Sequence, residues 1–215
     1  MKKRPDLLKG EDLPGVPRQK RSREKRVRWK AAGLAVFGEK GYERASIQEI
    51  AKRARLPVGG FYQHFRSKRQ MLLVLMDELL DGLSGLELRP GYFTGAREAL
   101  HEIVRRAFAR DLEYLGAYRA WQEAMLADPG LEKTQREIQG WTTGRIRGVF
   151  EGLQRLPGAR VGVDVEGLAR AMDSFFWGLL AKAAGMPKAE LERWVEVSTH
   201  LIYHALFSDV QRGRK

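Results

Sequence analysis

Two histidines four residues apart, His200 and His204, are the nearest this 215-residue chain comes to a metal-ligand spacing. On a helix that spacing puts two imidazoles on one face. Leu201, Ile202 and Tyr203 stand between them, with no acidic residue, and no third ligand is evident. Core or interface histidines are the expected reading. The chain has no cysteine, which excludes disulfides, thiolate nucleophiles and cysteine-ligated zinc. No nucleophile–base arrangement, phosphate loop or paired-acid motif occurs. No enzymatic activity, metal or cofactor is therefore expected, and the chemistry on offer is recognition. Residues 1–70 hold 20 Lys/Arg and 7 Asp/Glu, whereas residues 71–215 hold 19 and 20, so the basic excess lies in the first third. A folded basic segment beside a near-neutral body points to a polyanion partner. Within that segment Gly59 and Gly60 stand side by side. Each weakens a helix by roughly 1 kcal/mol relative to alanine, and glycine lets a backbone come close to a large partner.

Elements able to position these residues follow one another as helices, without strand-like alternation. Residues 1–21 read as a basic flexible arm, broken by Pro5, Pro14 and Pro17. A first helix starts after Ser22 and runs to about Lys40, with Trp29, Ala32, Gly33, Val36 and Phe37 on one face and Gly41 as its C-cap. Ser46 and Glu49 form a capping box that opens a short helix. A turn at Arg55-Leu56-Pro57 leads into a second short helix, Val58 to Phe65, in which Phe61 and Phe65 read as core. Ser67 and Gln70 make a second capping box, for a helix ending near Gly85. Thr94 caps a longer helix, Gly116 interrupts it, Asp128-Pro129 opens the next, and Leu156-Pro157-Gly158 stops that one. The last two helices span 164–184 and 187–209.

Two short helices across a tight turn, behind a longer basic-faced helix, make a helix-turn-helix unit. The strings Phe37-Gly38-Glu39-Lys40-Gly41-Tyr42, Ser46-Ile47-Gln48-Glu49-Ile50-Ala51 and Gly59-Gly60-Phe61-Tyr62-Gln63-His64-Phe65-Arg66-Ser67-Lys68 closely resemble the N-terminal signature of TetR-family regulators. The resemblance covers roughly residues 25–75. It implies an all-α fold, with a DNA-binding domain at 22–70 and a helical effector-binding and dimerisation domain at 71–215. By position it implies DNA contacts from Ser46, Gln48, Val58, Gly59, Gly60, Tyr62, Gln63, His64 and Lys68. The residue types suit this, because helix N-termini favour phosphates, Tyr and His can donate to phosphate, and Gln63 can read a base edge. Three positions depart from the family's pattern. Arg55 replaces the turn glycine, Pro57 the capping serine and Val58 a basic residue. Arg55 is then a candidate phosphate contact, and Val58 can meet a thymine methyl.

For the body the resemblance implies an apolar pocket, with Phe108, Leu112, Tyr118, Trp121, Met125, Trp141, Phe175 and Phe176 as candidate walls. Arg105, Arg145 or His101 could meet an acidic group of an effector. It also implies a homodimer through the last two helices. Ala171, Ser174, Gly178 and Ala181 would form one face, and Leu191, Trp194, Val195, Ser198, Leu201, Ile202 and Ala205 the other. The expected function is a ligand-responsive regulator, a repressor that binds a palindromic operator and is released by an apolar or aromatic small molecule. The alternatives are a non-specific architectural DNA binder and, further off, an enzyme. No secretory signal is recognisable, and the apolar run Phe175 to Ala181 is too short to span a bilayer. A cytoplasmic protein without membrane partners is expected.

Overall fold

The computed structural model describes residues 3–15, 17–86, 95–183 and 186–208. Among them the chain folds into α1 (Lys20–Arg44), α2 (Ile47–Ala54), a 3-10 helix (Val58–Gln63), α3 (Lys68–Ser84), α4 (Ala96–Glu113), α5 (Leu115–Ala127), α6 (Pro129–Leu153), α7 (Val165–Lys182) and α8 (Lys188–Leu206). The architecture is the all-α one that the periodicity predicts. The expected cap Thr94 and the expected helix ends at residues 184 and 209 lie outside the described residues. The chain divides into two compact units. One runs from Pro5 to Gly82 and from Asp111 to Glu137; the other contains residues up to Arg110 in α4 and from Ile138 onward.

In the first unit, α1 buries the stripe Trp29, Ala32, Gly33, Val36 and Phe37. It runs past Gly41 to Arg44 rather than ending there, but Gly41 sits at φ 77°, ψ −173° and breaks the helix. Side chains avoid that conformation, and a Cβ there would strike the Glu123 carboxylate. That carboxylate accepts from the backbone N–H of Tyr42 (2.7 Å) and Glu43 (3.3 Å). Arg119, one turn earlier on α5, donates to the Gly38 carbonyl (2.7 Å). The polar backbone groups freed by the kink are thus satisfied from α5. Gly116 permits this approach. It does not interrupt the helices, as the sequence suggests. The break falls at Tyr114, and Gly116 lies buried within α5 against α1.

Residues 5–13 do not behave as the expected flexible arm. Leu7 is buried at 6% exposure. Its N–H donates to Asp77 Oδ1 on α3 (3.4 Å), Arg69 pairs with Glu11 (2.6 Å), and Gln70 Nε2 donates to the Asp12 carbonyl (3.2 Å). Prolines and scattered cations masked a short apolar-plus-acidic segment that complements α3. Leu7 adds apolar burial, and Glu11 gives the Arg69 guanidinium a carboxylate partner. Arg69 also pairs with Asp128 (2.9 Å), whose other oxygen accepts from Gly130 N–H at the start of α6 (2.9 Å).

The second unit is held by one apolar cluster. Leu100, Val104 and Phe108 of α4 pack with Phe150 and Leu153 of α6, Ala169 and Leu179 of α7, and Val195, Ile202 and Leu206 of α8. Asp164 caps α7 by accepting from Gly167 N–H (2.9 Å).

Candidate functional site

The first short helix begins as its sequence dictates. Ser46 Oγ accepts from Glu49 N–H (3.2 Å), and the Glu49 carboxylate accepts from Ser46 N–H (3.1 Å). Lys40 also pairs with Glu49, and these bonds, the Lys40 one foremost, hold its carboxyl down at about 2. The helix ends at Arg55, which adopts the left-handed conformation (φ 53°, ψ 47°) in place of the usual glycine. A side chain there costs about 1–2 kcal/mol. Arg28 of α1 offsets this by donating to the carbonyls of Ala54 (2.6 Å) and Arg55 (3.0 Å), a cation placed at a helix C-terminus.

The next segment is a 3-10 helix, not the α-helix expected. Two adjacent glycines and six residues are too little to sustain an α-helix, and the tighter turn needs fewer bonds. What fixes it is its apolar side. Phe61 and Phe65 are fully buried, and Phe61 meets Trp29 edge-on at 5.5 Å. That anchoring turns Val58, Gly59, Tyr62 and Gln63 outward, with Tyr62 48% exposed. Gln48 and Arg55 are exposed, and Ser46 and Gly60 partly so. A Cβ at Gly59 would meet nothing within 4 Å, and one at Gly60 only ordinary contacts with Trp29 and Pro57. Neither glycine is required by the chain's own packing.

Two expected contact residues are placed differently. His64 is 2% exposed, its Nδ1 without a hydrogen-bond partner, and its backbone carbonyl accepts from Arg26 (2.9 Å). Burial, then Arg26 and Lys25, push its imidazole below the usual histidine range, so a neutral inward ring stands where a phosphate donor was expected. Lys68 donates to the carbonyls of Tyr42 (2.6 Å), Ala45 (3.0 Å) and Glu43 (3.4 Å) and lies over the Tyr42 ring. Its ammonium closes the frayed end of α1. Ser67 accepts from Gln70 N–H (3.1 Å) as expected, but the Gln70 side chain accepts from Arg66 N–H (2.8 Å), so only half of that capping box forms.

Some exposed cations went unnamed in the sequence. Lys52 lies one turn after Gln48 and before Arg55 on the exposed side of α2, and Arg66 follows the 3-10 helix. The i, i+4, i+7 spacing of Gln48, Lys52 and Arg55 was a legible signal.

In the body, the expected pocket residues divide between the units. Leu112, Tyr118, Trp121 and Met125 belong to the first, and Phe108, Trp141, Phe175 and Phe176 to the second. Trp121 is wholly buried and donates to Gln135 Oε1 (2.8 Å), a core role. Phe108 meets Phe176 edge-on at 5.6 Å, and Phe175 packs near Trp194. Of the helix-pairing residues, Ala171, Ser174, Gly178 and Ala181 form an exposed stripe on α7. On α8 Val195, Ser198 and Ile202 point into their own unit, and Trp194, Leu191 and Ala205 are partly buried. The outward apolar residues are Leu201, 47% exposed, and Val197, which the sequence reading missed. Also missed was Asp173, an acid within an apolar helix. It is 6% exposed, accepts from Thr143 Oγ1 (3.1 Å), and burial pushes its carboxyl up.

The sequence profile of "Bacterial regulatory proteins, tetR family" matches residues 31–75. The A-factor receptor protein of Streptomyces griseus is 47% identical over 47 residues, which are 22% of this chain and 17% of that protein. The curated relatives are thus matched over a minor part of their length. Among solved structures, a transcriptional regulator from Rhodococcus sp. Rha1 superposes with a TM-score of 0.61 at 25% identity, covering 84% of this chain and 97% of that one. A complex of SmeT with triclosan gives a TM-score of 0.65 at 21% identity, covering 87% and 93%.

Proposed function

We propose that this chain, whose residues 31–75 match the profile of the tetR family of bacterial regulatory proteins, is a ligand-responsive transcriptional repressor of that family that binds a palindromic operator as a homodimer. The observation that carries the reading is the outward strip Val58-Gly59-Tyr62-Gln63, pinned from behind by Phe61 and Phe65. Gly59 leaves space that only an external partner would use. Tyr62 can donate to a phosphate, Gln63 can read a base edge, and Val58 can meet a thymine methyl. Gln48, Lys52 and Arg55 extend the polar, basic surface along α2.

A palindrome needs two readers about 34–36 Å apart, set by a symmetric dimer. The exposed small-residue stripe of α7 and the exposed Val197 and Leu201 of α8 are the surface proposed for that pairing. The unit holding Phe108, Phe175 and Phe176 is the proposed effector-binding body. One relative is named as a receptor, and one neighbour in fold was solved in complex with triclosan. Ligand action requires the effector to bind one arrangement of the dimer better than another, a coupling of about 1–3 kcal/mol in typical cases.

The test is selection of bound fragments from genomic DNA, followed by titration of the winner against salt. Enrichment of a short palindrome, bound by a dimer with a steep salt slope, is the expected result. Equal retention of every fragment would reduce the protein to a non-specific binder.

A further inference from the structure

A buried acid in the second unit has no cation beside it. Asp173 of α7 is 6% exposed and meets hydroxyl groups of α6, with Thr143 Oγ1 at 3.1 Å. Among the described residues no Lys or Arg pairs with it. An ionised carboxylate removed from water is costly unless it is paired, and the hydroxyls of Thr142 and Thr143 do not outweigh its burial. The surroundings are aromatic and incompletely covered. Phe176 and Trp177 lie one turn along α7 from Asp173, both only partly buried, and Phe176 stands edge-on to Phe108. On α6, Gly140 precedes Thr143 by one turn and offers no side chain, and a Cβ at Gly144 would meet nothing within 4 Å.

The three cations named from the sequence as partners for an acidic effector, Arg105, His101 and Arg145, are already engaged. Arg105 makes two bonds to Glu102 (2.7 Å each), and His101 lies 2.9 Å from Glu196. Arg145 donates to the Leu86 carbonyl and lies 5.4 Å from the Trp141 ring centre. An anion meeting any of these three would have to break such a contact, whereas a cation would supply what Asp173 lacks, with the aromatic side chains Phe176 and Trp177 one turn along α7.

We propose that Asp173 is the polar handle of the effector site and that the effector is a hydrophobic organic cation, of which an aromatic ammonium is the simplest case. The inference rests on the reading of this unit as the effector-binding body.

The experiment is calorimetric titration of the full-length protein with three probes of one shape: 2-naphthylmethylammonium, 2-naphthylmethanol and 2-naphthoate. The wild type should bind the ammonium at least tenfold more tightly than the alcohol, with the naphthoate weakest. Asp173→Asn should bring ammonium and alcohol to within about twofold of each other. Equal binding of ammonium and alcohol by the wild type, no ammonium binding at millimolar concentration, or an undiminished preference in D173N would each overturn the proposal. Should D173N fail to fold, the wild-type comparison decides alone. Failure of the regulator reading shows separately. A chain that selects no DNA sequence but prefers the ammonium leaves this inference standing, whereas operator release by naphthoate alone overturns it and keeps the regulator.

Discussion

Replacing Gly116 by alanine should destabilise the protein, although alanine favours a helix over glycine by roughly 1 kcal/mol. The added Cβ would stand 1.9 Å from the Leu34 carbonyl oxygen, 2.8 Å from its carbon and 3.0 Å from Gly38 N. Ordinary contact begins at 3.4 Å, so α5 and α1 must part by about 1.5 Å. The obstructing atoms are backbone and cannot rotate away. Overpacking of this kind costs about 1–3 kcal/mol. Parting the helices also stretches the Arg119 bond to the Gly38 carbonyl and the Glu123 bond from Tyr42 N–H, charge-assisted contacts worth about 1.5–3 kcal/mol each when fully lost. After the propensity gain, a net loss of about 2–4 kcal/mol is expected. For a chain of this size that lowers Tm by roughly 4–15 °C. Two controls carry the same substitution. Gly33→Ala meets only the Met71 sulfur at 2.6 Å, the end of a flexible side chain, and should be near neutral. Gly144→Ala meets nothing and should gain roughly 0.5–1 kcal/mol. Urea and thermal unfolding followed by circular dichroism give all three values. A G116A protein as stable as the wild type, or a reversed order among the three, would refute the steric account.

Leu201→Glu should give a folded monomer by analytical ultracentrifugation, whereas Ile202→Glu, at 1% exposure in the native chain, should unfold its unit; a dimeric L201E would show that α8 pairs through another face. Lys68→Met keeps the length of the side chain but leaves three carbonyls without their donor. A loss of about 2–3 kcal/mol in urea unfolding is expected, and none would mean that water serves those carbonyls equally well. His64 is held below the usual histidine range by burial, so the unfolded chain binds a proton that the folded chain refuses. Stability should therefore fall as pH drops through the unfolded value of about 6.5 toward the lower folded one. His64→Gln should flatten that slope, and an unchanged slope in the variant would assign it to other groups.

Local rules were legible where the cause lies within a few residues. Ser46 and Glu49, three apart, announced a capping box that forms with both bonds, and Asp164 announced the start of α7. The spacing of Trp29, Val36 and Phe37 marked the buried side of α1. What escaped depends on partners distant in sequence. Gly116 looked like a helix breaker because its reason, the Leu34 carbonyl, lies 82 positions earlier. Lys68 looked like a phosphate ligand because its carbonyl partners belong to the kinked end of α1. The arm looked flexible because composition weighs prolines and cations but not the fit of Leu7 and Glu11 to α3. On α8, apolar periodicity named Val195, Ser198 and Ile202, which are buried in their own unit, because it marks a buried stripe without saying whether the burial is against the same chain or another.

The misplacement of Lys68 is one case of a wider one, which bears on how the protein would hold a polyanion. Cations were read as surface charge, yet many of those in the first third have structural work inside their own unit. Arg26 and Arg28 donate to carbonyls at the ends of the two short helices, and Lys30 pairs with Glu78. Lys40, Lys68 and Arg69 hold Glu49, the end of α1, and Glu11 with Asp128 respectively. A guanidinium or ammonium bonded in this way gives up its partner before it can release a counterion from DNA, so it contributes little to the salt dependence of binding. The steepness of that dependence should follow the outward cations, such as Lys52 and Arg55 beside the 3-10 helix and Lys20, Arg21 and Arg23 at the start of α1. The basic excess thus does two jobs. One set of cations closes helix ends so that a short, glycine-weakened turn can be held rigid, and under the proposed function the other set would meet the phosphates.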